Sequence, residues 1–120
     1  SIRYLDYQED IMTILNNSSC LIHPSYREGM STVLLEAASM KIPIITSTAP
    51  GCIDIIPDDS YGLLCKPKST VSLKRAVDRF LSLKNDEKDK MTNKTYRYVK
   101  DNFSREVVLK KYEELDVYIN

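Results

Sequence analysis

The sequence has few of the residues that build metal centres and disulfide frameworks. Its 120 residues include three cysteines and one histidine, and the cysteines (Cys20, Cys52 and Cys65) form no C-x-x-C motif. An odd number of widely spaced cysteines indicates reduced, buried thiols, and a single histidine argues against a histidine-based metal site. We therefore expect neither a disulfide framework nor a bound metal ion.

An excess of one charge sign and a long apolar run are also missing. Lys plus Arg and Asp plus Glu both number 17, so the formal net charge is zero. A nucleic-acid-binding domain would carry an excess of basic residues on one face. The apolar runs are only a few residues long, whereas a membrane-spanning helix needs about 20. The chain opens at Ser1 without a secretory signal pattern, and we expect a cytoplasmic protein.

The length suits one domain. A chain of 120 residues can bury roughly two thirds of the surface that it exposes when unfolded, which is enough for a single core. It is short for a complete two-domain enzyme. Since Ser1 stands where a starting methionine would be, we expect residues 1–120 to be part of one domain of a longer chain.

Short apolar segments alternate with helical periodicities as far as Pro67, which predicts βα units that form a parallel sheet. The candidate strands are residues 2–5, 20–23, 42–46 and 62–65. The connection 47–61 is rich in Pro, Gly, Asp and Ser and can hold only a short helical turn near residues 53–56.

Only helical patterns follow Pro67. One amphipathic stripe has Ser69 or Thr70 as a possible N-cap and contains Leu73, Ala76, Val77, Phe80 and Leu81. Residues 85–102 carry both signs of charge and predict a solvated helix plus a connection. A closing helix is indicated by Val108, Tyr112, Leu115 and Ile119. The fold class is therefore α/β, with βα units over about 1–67 and a helical tail over 68–120.

The loop 23–31 leaves a predicted strand and enters the most apolar helix of the chain. Ligands of open α/β sheets bind at that edge. Gly29 permits a close backbone approach, and Ser31 is a natural N-cap whose helix start would attract phosphate oxygens. A routine capped turn explains the same residues, and the G-x-G-x-x-G and Walker motifs are absent.

Glu36 interrupts a helix that is apolar on nearly every side, so we expect its carboxylate to be largely buried. Glu28 precedes it by eight residues, which is about 12 Å along an unbroken helix. That distance exceeds the roughly 5 to 9.5 Å between the two carboxylates of glycosidases. The spacing suits two hydroxyl-binding groups at opposite ends of an elongated ligand that has phosphates between them.

Residues 24–45 resemble the E-x7-E segment of retaining, nucleotide-sugar-dependent glycosyltransferases of the GT-B architecture. Three later parts agree in order: residues 47–52 with the loop that ends in Pro-Gly-Cys, 62–64 with the Gly-Leu-Leu strand, and 66–68 with the exit before the next helix. The resemblance extends from about Arg3 to Tyr118. It implies a Rossmann-like parallel sheet with flanking helices, which would form part of a C-terminal, donor-binding GT-B domain.

The resemblance also implies roles for individual residues. Glu28 matches the first motif glutamate, which contacts hydroxyls of the donor sugar and is the implied catalytic residue. Glu36 matches the second, which binds the ribose of the nucleotide. The other implied donor-binding residues are the loop and the helix start, whose backbone N–H groups face the diphosphate or the sugar: Gly29, Met30, Ser31 and Thr32. The implied donor is a nucleoside-diphosphate sugar, UDP-linked, and transfer with retention would need no metal and no other cofactor.

Some parts of the family pattern are missing. Asp54 stands where the family often has Glu, and the phosphate-clamping Arg and Lys and the acceptor-binding domain of the family are not in this sequence. The chain alone is therefore expected to be inactive. The loop 26–29, together with Pro-Gly-Cys at residues 50–52, resembles the branch that acts on lipid-linked oligosaccharides in bacterial capsule, exopolysaccharide and glycoprotein assembly. This branch implies a glycan or polyprenyl-diphosphate-linked acceptor, peripheral association with the inner face of the membrane, and no nucleic acid. A dimer of the fragment would cover its open sheet edge.

Three other interpretations stay open at this point. The fold could serve as a non-catalytic nucleotide-sugar-binding or interaction module. A receiver- or flavodoxin-like signalling domain would need an acidic cluster after its first strands, and only Asp6 is available. A hydrolase using His23 and Ser25 would need a G-x-S-x-G elbow, which is absent.

Overall fold

A three-stranded sheet forms the centre of the described part of the chain. The structure, a computed structural model, describes residues 19–24 and 32–103. Strands β1 (Leu21–His23), β2 (Ile44–Ser47) and β3 (Leu63–Cys65) coincide with three of the predicted strands to within two residues at each end. The predicted strand 2–5 lies outside the described residues.

The three strands run parallel in the order β1-β2-β3, which confirms the predicted parallel sheet. His23 is paired with Thr46, and Ser47 with Cys65. Because parallel strands end on the same side, these four residues lie together at what we call the carboxyl edge of the sheet.

The two faces of the sheet are covered by different helices. Successive strand residues point to opposite faces, and Ile44 packs with Leu34 and Ala37 while Ile45 packs with Ala76 and Phe80. All four residues of β2 are buried, as expected for a strand between two helical layers. The expected cover is incomplete at β1, where the Ile22 side chain is 37% exposed.

The first described helix, α1 (Thr32–Ser39), ends in a compact cap. Lys41 has a left-handed backbone with φ of 56°, its N–H donates to the carbonyl of Ala38 at 3.1 Å, and the Ile42 N–H donates to that of Ala37 at 3.0 Å. These two bonds form a Schellman motif, in which glycine usually takes the left-handed position. The motif and Pro43, which lacks an N–H, explain why β2 begins at Ile44 and not at the predicted Ile42.

Helix α2 (Thr70–Ser82) begins where the sequence predicts. Ser69 is its N-cap, and the Ser69 hydroxyl accepts a hydrogen bond from the Ser72 N–H at 3.1 Å. Ala76 and Phe80 are buried against β3. Leu81, which we placed on the apolar stripe, is 72% exposed. It lies at the margin of the stripe, on a side of the helix that the three described strands do not cover.

Helix α3 (Asn85–Asn102) is one continuous helix, so the predicted solvated helix plus connection is wrong. Its buried residues lie on one face, which packs against α1: Met91, Thr92, Thr95 and Val99. Two of the four are threonines, and the rest of the helix is strongly charged. Its apolar stripe is therefore too thin to stand out in the sequence.

The connection between β2 and β3 is part of the core. As predicted, it contains short helical turns, in which the Ile53 N–H donates to the carbonyl of Ala49 and the Ile56 N–H to that of Cys52. Helix α3 holds this connection from outside, because the hydroxyl of Thr95 donates to the Tyr61 carbonyl. None of the helices in the described ranges has the length and apolarity that crossing a membrane requires. The predicted closing helix lies beyond residue 103, outside those ranges.

Candidate functional site

Hydroxyl side chains and backbone bonds join the three strands at the carboxyl edge. The hydroxyl of Thr46 donates to the carbonyl of His23 at 2.8 Å, and the N–H of Thr48 donates to the carbonyl of Cys65 at 3.0 Å. The Ser47 hydroxyl accepts the Ala49 N–H at 3.2 Å. The bond of Thr46 therefore joins the ends of β1 and β2 in addition to the backbone bonds of the sheet, and the bond of Thr48 continues the backbone pairing of β2 with β3.

Buried hydroxyls at this edge were not predicted from the sequence. Thr46 and Ser47 are both 0% exposed, and both hydroxyls are hydrogen-bonded, as burial requires. The only local signal is that the apolar pair Ile44-Ile45 is followed by two hydroxyl residues. A β-branched threonine in a strand is ordinary, so this signal is weak.

Helix α1 begins at Thr32, eight residues after the last described residue of the β1 end, Pro24. Thr32 is exposed and Glu36 is half-buried. They are four residues apart, so they lie on the same face of the helix, one turn from each other. The structure therefore brings these two predicted donor-binding residues together on the accessible side of α1.

The surroundings of Glu36 agree with the expectation only in part. The flanking residues Leu35 and Ala37 are buried, but Ser39 and Thr32 are exposed, so α1 has a polar strip and is not covered on every side. Glu36 lies in that strip at the boundary of the core and has an interaction partner within the chain. Glu36 is therefore largely but not completely buried, because α1 packs against the sheet and α3 on its remaining sides.

The other predicted site residues lie outside the described residues: Glu28, Gly29, Met30 and Ser31. The estimated separation of the two glutamates along an unbroken helix stays a prediction. Ser25 of the hydrolase alternative is in the same range, while His23 is half-buried at the end of β1.

The three thiols are free, as the sequence predicts. Burial raises the pKa of Cys20 to about 12, against a smaller opposing effect of Lys88. Burial also raises the pKa of Cys65, with a smaller contribution from Cys52. Cys20 and Cys65 are therefore protonated at neutral pH and poor nucleophiles. Among residues 19–24 and 32–103, no three His, Cys, Asp or Glu side chains come together as a metal site would require.

Comparison with known proteins now places this arrangement in a family. Residues 1–98 match the family model described as glycosyl transferases group 1. The chain belongs to the glycosyl transferases group 1 family. The match covers the sheet, α1, α2 and most of α3, and so includes both the carboxyl edge and the predicted site residues.

Two curated relatives in this glycosyltransferase family show how much of the protein is covered. The chain is 30% identical over 109 residues to glycosyltransferase 1 domain-containing protein 1 of Xenopus tropicalis. The aligned residues make up 90% of this chain and 30% of the relative. It is 32% identical over 88 residues to the N,N'-diacetylbacillosaminyl-diphospho-undecaprenol alpha-1,3-N-acetylgalactosaminyltransferase of Campylobacter jejuni. Here the aligned residues make up 73% of this chain and 23% of the relative. The chain thus spans less than a third of the length of these relatives.

Solved structures of glycosyltransferases share the fold. This chain aligns with the C-terminal domain of a glycosyl transferase group 1 family protein from Francisella tularensis with a TM-score of 0.69 at 24% identity. The alignment covers 85% of this chain and 52% of the Francisella chain. A glycosyltransferase from Rickettsia africae has a TM-score of 0.71 at 23% identity, with 90% and 29% covered. The fold is that of the C-terminal domain of GT-B glycosyltransferases, which confirms the fold class predicted from the sequence.

Proposed function

We propose that this chain is the donor-binding part of a retaining glycosyltransferase, which moves a sugar from a nucleoside-diphosphate sugar to an acceptor. One observation carries the proposal: Thr32 and Glu36 share the accessible face of α1. This helix connects the parallel strands β1 and β2, so its start is directed toward the carboxyl edge of the sheet. Open α/β sheets bind nucleotides at this edge. Membership in the glycosyltransferase family supports the same location.

Two kinds of contact would hold the donor. The Glu36 carboxylate would accept hydrogen bonds from the ribose hydroxyls, and a charged acceptor makes such bonds stronger than neutral ones. The N–H groups of the first turn of α1, near Thr32, would stabilise the negative charge on the diphosphate as it leaves. We assign Glu28 to the donor sugar, and Gly29, Met30 and Ser31 to the backbone around the diphosphate.

The proposal extends to the acceptor. The name of the Campylobacter jejuni relative specifies a diphospho-undecaprenol acceptor, and another relative, from Staphylococcus aureus, is named a capsular polysaccharide biosynthesis glycosyltransferase. We propose a glycan or polyprenyl-diphosphate-linked acceptor, held by a second domain of the full polypeptide. We also propose that the enzyme acts in the cytoplasm, at the inner face of the membrane, where it would meet such an acceptor. The proposed donor is UDP-linked, and the proposed transfer needs no metal ion.

Calorimetry on the full polypeptide that contains this sequence tests the donor site. Uridine, guanosine and adenosine diphosphates and their hexose derivatives are titrated into the wild type, the Glu36→Gln variant and the Asp89→Asn variant. We expect the Glu36 change to weaken binding of the preferred nucleotide about tenfold, since it removes a charged acceptor. Asp89 is an exposed carboxylate on α3, and its replacement should leave the affinity unchanged.

The outcomes separate the proposed function from its alternatives. Equal affinity of both variants for the nucleotide contradicts the role of Glu36. A wild type that binds nucleotide sugar but transfers none to lipid-linked or glycan acceptors would be a non-catalytic module. Loss of transfer in a chelator would contradict the metal-independent mechanism.

A further inference from the structure

The hydroxyl of Thr46 bonds to the last carbonyl of β1, the strand that precedes the proposed donor-binding residues 28–32 in the sequence. Thr46 is 0% exposed, lies opposite His23 in the register of the sheet, and donates to the His23 carbonyl at 2.8 Å. A valine would fill the same volume in a strand, so packing alone does not require a hydroxyl here.

The position of this bond in the chain gives it a consequence for the site. His23 is the last residue of β1, and Glu28 follows five residues later in the sequence. The direction in which the chain leaves β1 depends on the peptide group of His23. Because catalytic groups must be held to within about an ångström, a small rotation at this point would displace the residues that follow.

Helix α1 is fixed by other contacts. Leu34 and Ala37 are 0% exposed, and α1 packs against both β2 and α3. Glu36 is therefore held by its own helix, and its position does not depend on the hydroxyl of Thr46. Loss of that hydroxyl should affect the sugar end of the site more than the nucleoside end.

We infer that Thr46 is a positioning residue of the donor site, which fixes the direction of the chain from β1 toward Glu28 through the carbonyl of His23. This inference rests on the proposed function, because Glu28 is assigned there to the donor sugar. Thr46 itself touches no donor in this assignment.

The structure offers a matched control for the experiment. Thr95 is 2% exposed, and its hydroxyl also donates to backbone carbonyls, those of Tyr61 and Met91. It lies on α3, and its bond to Tyr61 is near the start of β3, whereas the carboxyl edge is at the end of that strand. Replacement of either threonine by valine removes one buried hydroxyl with little change in shape.

The experiment compares Thr46→Val, Thr46→Ser and Thr95→Val in the full polypeptide. For each we would measure the melting temperature, the affinity for the preferred nucleoside diphosphate and for its sugar derivative, and kcat and KM. The loss of one hydrogen bond corresponds to about a three- to tenfold effect. We expect Thr46→Val to lose that factor in sugar-donor affinity and in kcat/KM, with nucleoside-diphosphate affinity within about twofold of the wild type.

The two other variants separate positioning from a general loss of stability. Thr46→Ser retains the hydroxyl and should restore sugar-donor affinity. Thr95→Val should lower the melting temperature but leave sugar-donor affinity unchanged. The inference is overturned if Thr46→Val and Thr95→Val behave alike, or if the serine variant is as defective as the valine variant.

If Thr46→Val does not fold, Thr46→Cys, a weaker donor, should have intermediate sugar-donor affinity, and wild-type affinity in that variant would also overturn the inference. A wild type that binds no nucleotide sugar refutes the proposed function as well, whereas normal binding by Thr46→Val refutes only this inference.

Discussion

The two halves of the described chain are built differently. In the βα half, residues 19–65, most of α1, β2 and β3 is buried, and the turns between β2 and β3 bury Cys52, Ile55 and Ile56 as well. In the helical half, residues 66–103, α2 buries only Ala76 and Phe80, and two of the four buried residues of α3 are threonines. The βα half therefore supplies most of the apolar core, and the helical half covers it.

Buried polar groups show the same contrast in another way. Thr46 and Ser47 are the buried polar residues of the βα half, and both lie at the carboxyl edge of the sheet. In the helical half, Thr92 and Thr95 are buried where α3 packs on the remainder of the chain. The buried polar side chains of the βα half therefore lie at the candidate site. Those of the helical half lie where α3 contacts the core.

The largest expected effect tests whether the core belongs mainly to the βα half. Leu34 is 0% exposed and Leu81 is 72% exposed. We expect Leu34→Ala to lower the free energy of unfolding by about 3 kcal/mol, through lost burial and a cavity. Leu81→Ala should change it by less than about 0.5 kcal/mol. Urea unfolding measures both values, and equal losses would show that the two halves share the core evenly.

A smaller effect is expected from adding one methyl group in the βα half. A Cβ atom at Gly62 would lie 2.8 Å from the Ile44 carbonyl oxygen and 3.2 Å from Cγ2 of Ile56. Neither the strand backbone nor the buried isoleucine can move freely, so Gly62→Ala should lower the free energy of unfolding by about 1–3 kcal/mol. Asn93→Ala, at an exposed position of α3, is the control and should be neutral or slightly stabilising. A neutral Gly62→Ala would mean that the start of β3 is not tightly packed.

The smallest expected effect is a gain. Lys41 takes the left-handed position of the α1 cap with φ of 56°, and its ammonium lies 4.9 Å from the ring centroid of Tyr96. Lys41→Gly relieves the strained backbone but loses the cation–π contact, for a net increase in the free energy of unfolding of about 0.5 kcal/mol.

The same substitution should have the opposite sign in the helical half. Lys90 is an exposed residue inside α3, where Lys90→Gly should lower the free energy of unfolding by about 0.5–1 kcal/mol. Chemical denaturation of both variants provides the comparison. A loss of stability in both would indicate that the contact with Tyr96 outweighs the strain at Lys41.

The sequence by itself determined the strands, the parallel sheet and helix α2. Short apolar segments bounded by turn residues define β1, β2 and β3, and the Ser69 cap defines the start of α2. These features depend on neighbouring residues, so a pattern of local spacing contains them. The resemblance in residues 24–45 likewise indicated the family, because its motif is contiguous in the chain.

Only the tertiary structure decided how these elements are joined. The bonds of Thr46 to His23, Thr95 to Tyr61 and Tyr98 to Asp54 connect residues 23, 34 and 44 positions apart. No periodicity of a single element specifies such pairs. The half-buried position of Glu36, the exposure of Leu81 and the continuous helix α3 have the same origin, because the burial of a side chain depends on which distant element packs against it.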